Sequence, residues 1–191
     1  MAPRSAVVGV LALQGDFAEH LQIFRKLGAQ CVEVRTKADL ARVSHLVIPG
    51  GESTVISRFL RLSGLDDAIK IRVREGTLPV YGTCAGAILL AKNAIGKNAP
   101  PTLNLVDIDV ERNAYGPQVD SFERVITVEG LGAVRAAFIR APVIVRVGEG
   151  VQILAEDGGN PVLVRQGKLL AGTFHPEVRG ETHVHKLFLG F

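Results

Sequence analysis

The stretch Pro79-Val80-Tyr81-Gly82-Thr83-Cys84-Ala85-Gly86-Ala87-Ile88 decides how this sequence folds. It predicts a short buried strand, a sharp turn at the cysteine and an apolar helix. Its G-x-C-x-G pattern corresponds to the G-x-S-x-G nucleophile elbow, in which small neighbours let strand and helix approach closely. The N-terminus of the helix would favour the reactive thiolate. A buried structural cysteine at a strand–helix turn fits this stretch equally well.

Strand-like and helix-like segments alternate before this stretch. Apolar runs at 6–13, 31–34 and 46–48 predict buried strands, with helices between them. This alternation predicts a parallel sheet with helices on both faces. Gln14, Gly50-Gly51 and Cys84 each follow a strand end, so we expect them to meet at the carboxyl edge of the sheet.

Apolar spacing predicts which helix faces are buried. The first helix is expected to bury Phe17, Leu21, Phe24 and Leu27 and to stop at Gly28. A helix from about Ser53 is expected to bury Val55, Ile56, Phe59 and Leu62, and a further helix is expected over 66–75.

The second half of the chain reads as a series of short strands. They are predicted at 105–110, 125–128, 137–139, 143–147, 151–155, 161–165 and 169–173. Hairpin turns are predicted at Asp157-Gly158-Gly159-Asn160 and at Gln166-Gly167-Lys168. We expect these strands to form a mixed or antiparallel extension of the same sheet. No linker divides the sequence, so residues 1–191 are expected to form one domain.

The composition of the chain limits the binding partners and the cellular location that we expect for the protein. The 191 residues are 47% hydrophobic and 21% charged, with a net charge of +3. The basic stretch Lys70–Arg74 lacks interleaved aromatic residues, so nucleic-acid binding is not expected. Two cysteines, Cys31 and Cys84, exclude a disulfide framework. Neither a signal peptide nor a membrane span is predicted, and a cytoplasmic location is expected.

A second candidate group lies at Phe174-His175-Pro176-Glu177, after the last predicted strand. The proline restricts the backbone, so His175 and Glu177 can point to the same side. His175 would then carry protons, and Glu177 would fix its tautomer and orientation. Cysteine, histidine and an acid together activate a thiol nucleophile.

The turn Gly50-Gly51-Glu52-Ser53 has two interpretations. It could be an ordinary strand–helix turn with Ser53 as the N-cap, or its glycines could bring backbone N–H groups close to a substrate oxygen. The remaining histidines, at positions 20, 45, 183 and 185, are expected to be structural or solvated. No metal site is expected, because no further ligand cluster accompanies Cys84, His175 and Glu177.

These motifs together resemble the class I, or triad, glutamine amidotransferases. Further stretches are similar to the branch of that family formed by the glutaminase subunits of pyridoxal 5′-phosphate synthases. They are Gly9–Gly15 with Glu19-His20, Pro49–Thr54, Val110–Asn113 through Gln118–Phe122, and Phe138–Pro142. The resemblance runs from about Val7 to Glu177. Pro117 departs from it, since a longer, often basic residue is expected there.

The resemblance implies a flavodoxin-like three-layer α/β fold and hydrolysis of L-glutamine to L-glutamate and ammonia. Cys84 would be the nucleophile, His175 the general base and acid, and Glu177 its orienting partner. The backbone amides of Gly51 and Ala85 would form the oxyanion hole. The residues implied in glutamine binding are Gly51, Glu52, Ser53, Arg112, Ile139 and Arg140.

The resemblance implies no cofactor and one protein partner. That partner is a (β/α)8-barrel synthase subunit, which receives the ammonia within a large heteromeric complex. The glutaminase would be nearly inactive until docked, and Gln14 would help to order the oxyanion loop on docking.

Three alternatives remain open from the residues. One is a glutaminase that serves another synthase, such as the one that makes imidazole glycerol phosphate. The second is a regulatory or scaffolding subunit without activity, and the third is a cysteine-elbow hydrolase or stress protein of similar fold.

Overall fold

The structure is a computed structural model that describes residues 6–112 and 121–191. Residues 113–120 of the resembling stretch, Pro117 among them, lie outside the described residues, as does the N-terminal segment 1–5.

Twelve strands occur in the described ranges. They are β1 (Val7–Leu11), β2 (Gln30–Val34), β3 (His45–Ile48), β4 (Val80–Thr83), β5 (Ala91–Ile95), β6 (Val106–Glu111), β7 (Ser121–Val128), β8 (Gly132–Ile139), β9 (Val143–Val147), β10 (Gln152–Asp157), β11 (Asn160–Gln166) and β12 (Leu169–Gly172).

Six α-helices accompany them in the same ranges. They are α1 (Phe17–Lys26), α2 (Lys37–Ala41), α3 (Ser53–Ser63), α4 (Leu65–Arg74), α5 (Ala85–Leu90) and α6 (His183–Phe188). A short 3-10 helix covers Glu177–Arg179.

Seven strands form the central sheet, in the order β10-β11-β12-β4-β3-β1-β2. The five strands from β12 to β2 run parallel, while β11 and β10 are antiparallel additions. The parallel part has the doubly wound order in which ligands lie beyond the carboxyl ends of the strands. The predicted parallel sheet with an antiparallel extension is therefore confirmed.

The other strands of the second half form two separate small sheets, β5-β6-β9 and β7-β8. The expectation that every later strand would extend the central sheet was wrong for β6, β7, β8 and β9, and β5 was not predicted as a strand. Strand β6 illustrates why. Its alternate residues Val106, Ile108 and Val110 are buried on one face. A strand that packs over a sheet has the same alternation as one that extends it, so the pattern alone cannot separate them.

Two apolar clusters make up the core. One joins α3, α4 and α5 with the β5-β6-β9 sheet, and the other joins α1, α6 and the β7-β8 hairpin. In α1 the predicted residues Leu21 and Phe24 are buried. In α3 the prediction was wrong for Phe59 and Leu62, which are 43% and 72% exposed. Ile56 is buried as predicted, and the rest of the buried stripe consists of Ser53, Ser57 and Leu60, so two small serines lie against the protein interior.

Both predicted hairpin turns are confirmed. Asp157 pairs with Asn160 across the first turn, and Gly158 and Gly159 both have positive φ there. Leu169 pairs with Gln166 across the second. This second hairpin leads β12 back into the sheet beside β4, so the carboxyl ends of both strands lie at the same edge.

Candidate active site

Cys84 occupies a sharp turn between β4 and α5. Its φ of 49° and ψ of −102° are rare for a residue with a side chain. Its N–H donates a 2.8 Å hydrogen bond to the carbonyl of Gly172 at the end of β12. A Cβ on Gly82 would lie 2.5 Å from the backbone of Gly86, and a Cβ on Gly86 would lie 2.0 Å from the carbonyl oxygen of Ile48. Both glycines of the G-x-C-x-G pattern are therefore required by close backbone packing.

His175 and Glu177 follow β12 and are both buried, with 3% exposure each. The N–H of His175 donates to the carbonyl of Ala137 in β8 at 2.7 Å, which fixes the backbone. Its Nδ1 lies 2.6 Å from Glu177 Oε1. The expected pairing of the imidazole with the acid two residues later is present.

The pKa values of His175 and Glu177 both differ from the ordinary values of these side chains. Burial alone would lower the pKa of His175, but its interactions with Cys84 and with the Glu177 carboxylate outweigh burial and raise this pKa to about 10. Burial alone would raise the pKa of Glu177, but the neighbouring His20 and the hydrogen bond from His175 lower it to about 2. A protonated imidazole beside a carboxylate is therefore favoured near neutral pH.

The turns after β1 and β3 interlock beside the cysteine. Asp16 N–H donates to the carbonyl of Gly50 at 3.1 Å, and Glu52 N–H donates to Gln14 Oε1 at 2.7 Å. Gly51 has a φ of +152°, and a Cβ there would lie 2.5 Å from Gln14 Oε1. A Cβ on Gly50 would lie 2.3 Å from His175 Cε1. The glycines thus allow this turn to touch both the Gln14 side chain and the imidazole.

Glu52, not Ser53, caps helix α3. Its carboxylate accepts hydrogen bonds from the N–H groups of Thr54 and Val55, whereas Ser53 is the first residue of the helix and is buried. The interpretation that makes Ser53 the N-cap, one of the two left open for this turn, was wrong. Glu52 Oε1 also forms a 3.1 Å ion pair with Arg112, whose side chain is only 13% exposed.

Residues from these turns line one open pocket of about 630 Å³. Of the residues predicted from the sequence, its lining contains Gly51, Glu52, Ser53, Cys84, Ala85, Arg112, Ile139, Arg140 and His175. Glu177 lies behind His175, outside this lining. Cys84 Sγ is 4.0 Å from the carbonyl oxygen of Ile139. The following residue, Arg140, is exposed and has a φ of 42°, a strained conformation for an arginine.

A family model described as the SNO glutamine amidotransferase family matches residues 10–190. The chain belongs to this family. A Thermus thermophilus protein named pyridoxal 5′-phosphate synthase subunit PdxT is 54% identical over 183 residues, which cover 96% of each chain. A Mycolicibacterium vanbaalenii protein of the same name is 53% identical over 188 residues, 95% of each chain. The family resemblance expected from the motifs is confirmed.

Solved structures agree with the membership of the SNO family. A crystal structure described as a glutamine amidotransferase has a TM-score of 0.93 at 52% identity, covering 96% of this chain and 97% of the other. The structure of PurLQS from Thermotoga maritima has a TM-score of 0.70 at 13% identity, covering 98% of each chain. The second likeness shows the fold alone.

Three residues near the SNO-family pocket were not assigned to the site from the sequence. Asp16 lines the pocket and has its Oδ2 3.9 Å from His175 Nδ1. His20 and His185 are fully buried behind Glu177, so they are not solvated as one of the two expectations had it. His20 follows Phe17 and precedes Phe24 at helical spacing, so its place on the apolar face of α1 was the available signal.

Asp16, His175 and Glu177 are also the candidate cation group that the described residues contain. However, His175 Nδ1 and Glu177 Oε1 are already joined by a 2.6 Å hydrogen bond. A cation held by these two atoms would have to replace that bond. Among the described residues, no helix has the length and apolar character to cross a membrane.

Proposed function

We propose that this chain is the glutaminase subunit of a pyridoxal 5′-phosphate synthase, with Cys84, His175 and Glu177 as its catalytic residues. The observation that carries the proposal is that the elbow cysteine shares one pocket with His175, whose Nδ1 is hydrogen-bonded to Glu177 behind it. The names of its SNO-family relatives support the vitamin B6 pathway as the destination of the ammonia. The product pair is L-glutamate and ammonia.

In the first half-reaction the thiolate of Cys84 attacks the side-chain amide carbon of glutamine. A C–S bond forms, and the carbonyl electrons move to oxygen. The N–H groups of Gly51 and Ala85 stabilise that oxyanion, since backbone donors act best where negative charge develops. The imidazolium of His175 then protonates the leaving nitrogen, the C–N bond breaks, and ammonia and a thioester remain.

In the second half-reaction water attacks the thioester while His175 takes its proton. Collapse of the tetrahedral intermediate breaks the C–S bond, which releases glutamate and restores the thiolate. Glu177 keeps the imidazole oriented through both steps, because its bond to Nδ1 leaves Nε2 as the nitrogen that exchanges protons.

Arg112 and Glu52 are the charged groups that we assign to the amino-acid end of glutamine. Arginine matches a carboxylate through its fixed fork of donors, and a carboxylate accepts from an ammonium. These two side chains are paired at 3.1 Å. Substrate would therefore share or replace this ion pair, while Gly51, Ser53, Ile139 and Arg140 complete the binding site.

The partner that we propose is a (β/α)8-barrel synthase subunit. Gln14 supports this coupling, since its side chain holds the N–H of Glu52 directly beside Gly51. A shift of the Gln14 turn on docking would be passed to the oxyanion donor through that 2.7 Å bond. We propose that the complex, not the isolated subunit, is the active form.

The decisive experiment is an ammonia-release assay with and without the synthase subunit. Cys84→Ala should abolish turnover in the complex, while Cys31→Ala, the matched control at the only other cysteine, should retain it. Turnover by Cys84→Ala would refute the assignment. Activation by the barrel of imidazole glycerol phosphate synthase, and not by the vitamin B6 barrel, would identify the rival glutaminase. Binding of the barrel without any ammonia would indicate a scaffold.

A further inference from the structure

A second group of buried polar side chains lies behind the catalytic residues. His20 on α1 and His185 on α6 are fully buried, with Nδ1 of the first 2.9 Å from Nε2 of the second. His20 Nε2 lies 3.1 Å from Thr83 Oγ1 and 3.5 Å from Glu177 Oε1. Since Thr83 directly precedes Cys84, one imidazole contacts both the elbow and the acid.

Glu177 depends on few groups for its position. Its Oε1 faces His175 Nδ1 at 2.6 Å and His20 Nε2 at 3.5 Å. Within the described part of the chain its Oε2 has no hydrogen-bond partner. A buried carboxylate is costly unless neighbouring donors compensate for the lost water. The two imidazoles are therefore the side-chain donors that face this carboxylate.

We propose that His20 is a positioning residue, which holds Glu177 against His175 and steadies Thr83 at the base of the elbow. The inference rests on the proposed glutaminase function. His20 does not line the pocket, so it acts through Glu177 and not on the substrate.

The neighbours of His20 indicate where its proton lies. Because Glu177 is a carboxylate, we assign the proton of His20 to Nε2, which is hydrogen-bonded to Thr83 Oγ1 and faces Glu177 Oε1 at 3.5 Å. Nδ1 then accepts a hydrogen bond from Nε2–H of His185. His185 thereby fixes the ring of His20 from the side away from the triad.

Two substitutions separate positioning from packing. The amide of His20→Gln reaches about as far as Nε2 and keeps a donor towards Glu177, whereas the amide of His20→Asn reaches only as far as Nδ1. We expect His20→Asn in the synthase complex to lower kcat by roughly 10- to 100-fold, since small misplacements of catalytic groups have effects of this size. KM for glutamine should stay unchanged. His20→Gln and the surface control His183→Gln should stay near wild type.

A spectroscopic readout is independent of turnover. The proton in the short His175–Glu177 hydrogen bond should give a far-downfield NMR resonance in the full-length chain. It should vanish or move in His20→Asn and persist in His20→Gln and His183→Gln. If His20→Asn keeps both the resonance and kcat, the inference is overturned. Equal losses in both His20 variants would also overturn it, because they would show a packing role only.

A further variant covers the case in which His20→Asn does not fold. Thr83→Val removes the hydroxyl partner of Nε2 and keeps a similar shape. It should move the same resonance, and an unchanged resonance would overturn the inference. The resonance reports on His20 even if no ammonia is released, so failure of the glutaminase function would be seen separately.

Discussion

His175 and His185 are both buried histidines on the C-terminal part of the chain, yet their titration is opposite. Burial lowers the pKa of each ring. For His185 nothing outweighs it, and neighbouring His20 adds to the effect, so its pKa falls to about 3. For His175, Cys84 and Glu177 reverse it, and the pKa rises to about 10. The partners of an imidazole, and not its depth, decide whether it carries charge.

The two sides of Glu177 thus differ in chemistry. The pocket side holds a charged imidazole between the sulfur of Cys84 and the carboxylate of Glu177. The interior side holds a neutral pair of imidazoles, which supports the carboxylate without competing for the proton of His175. Each prediction below changes one side of this arrangement.

The largest effect is expected when the charged side loses its carboxylate. Glu177→Gln should lower kcat of ammonia release in the synthase complex by on the order of 10³- to 10⁴-fold, because the amide favours the wrong tautomer of His175. Glu181→Gln is the matched control, since Glu181 pairs with His183 and not with the triad. A loss below tenfold in Glu177→Gln would contradict the role assigned to this residue.

A steric change should come next. A Cβ at Gly50 would lie 2.3 Å from the ring of His175, so Gly50→Ala should displace the imidazole and lower kcat by roughly 100-fold. Gly130→Ala provides the control, because a Cβ there meets nothing within 4 Å. It should cost about 1 kcal/mol of folding stability through its positive φ, with kcat unchanged. Steady-state kinetics and thermal unfolding distinguish the two.

Substitution of a pocket charge away from the triad should change binding instead. Arg112→Ala should raise KM for glutamine roughly 10- to 100-fold with little change in kcat, as expected for a lost charged hydrogen bond. Arg124→Ala, which breaks a surface ion pair with Asp157, should leave KM unchanged. An unchanged KM in Arg112→Ala would instead favour a cysteine hydrolase that does not need this arginine.

The smallest effect concerns the neutral pair. The pKa of His185 is lower when folded than its usual 6.5, so the unfolded chain binds the proton first as pH falls. Stability from this group is present above pH 6.5 and is lost towards pH 3. His185→Gln should flatten this acid-side slope by up to about 1.4 kcal/mol per pH unit in denaturant titrations. The control His183→Gln should show the same dependence of stability on pH as wild type. If His185→Gln also showed the wild-type dependence, the titration described for His185 would be contradicted.

The contribution of His175 to folding stability depends on pH in the opposite direction from that of His185. Its pKa is raised when folded, so its contribution is complete below pH 6.5 and is lost as pH rises towards 10. Glu177, whose pKa is lowered, contributes above pH 4.5 and loses that contribution towards pH 2. Comparison of wild type with Cys84→Ala should show a smaller alkaline loss in the variant, because one partner of the imidazole is gone.

Short sequence motifs predicted those features of the fold that depend on backbone geometry over a few residues. The G-x-C-x-G turn, the strand–helix alternation and the Gly158-Gly159 hairpin all follow from backbone geometry within a few residues. The meeting of Gln14, Gly50 and Cys84 followed from one topological rule for parallel sheets. The side-chain roles followed from motifs that resemble a known family.

Long-range packing decided what the sequence could not show. Phe59 and Leu62 lie at the surface because Ser53 and Ser57 occupy the inner face, and serines carry no apolar signal. The contact of His20 with Glu177 joins residues 157 positions apart. The 3.1 Å pair between Glu52 and Arg112 likewise depends on β6 ending beside α3. No periodicity along the chain encodes such pairs.

The place of β12 in the sheet has a consequence for synthesis of the protein. This strand leaves the ribosome well after β4, yet it lies between β4 and β11 and supplies the carbonyl that holds Cys84 N–H. Until Leu169–Gly172 has emerged, β4 remains an edge strand with unpaired backbone groups, which is a template for wrong pairing. The turn at Cys84 is therefore completed only after β12 has emerged, and a nascent chain carries this thiol before His175 and Glu177 have been translated.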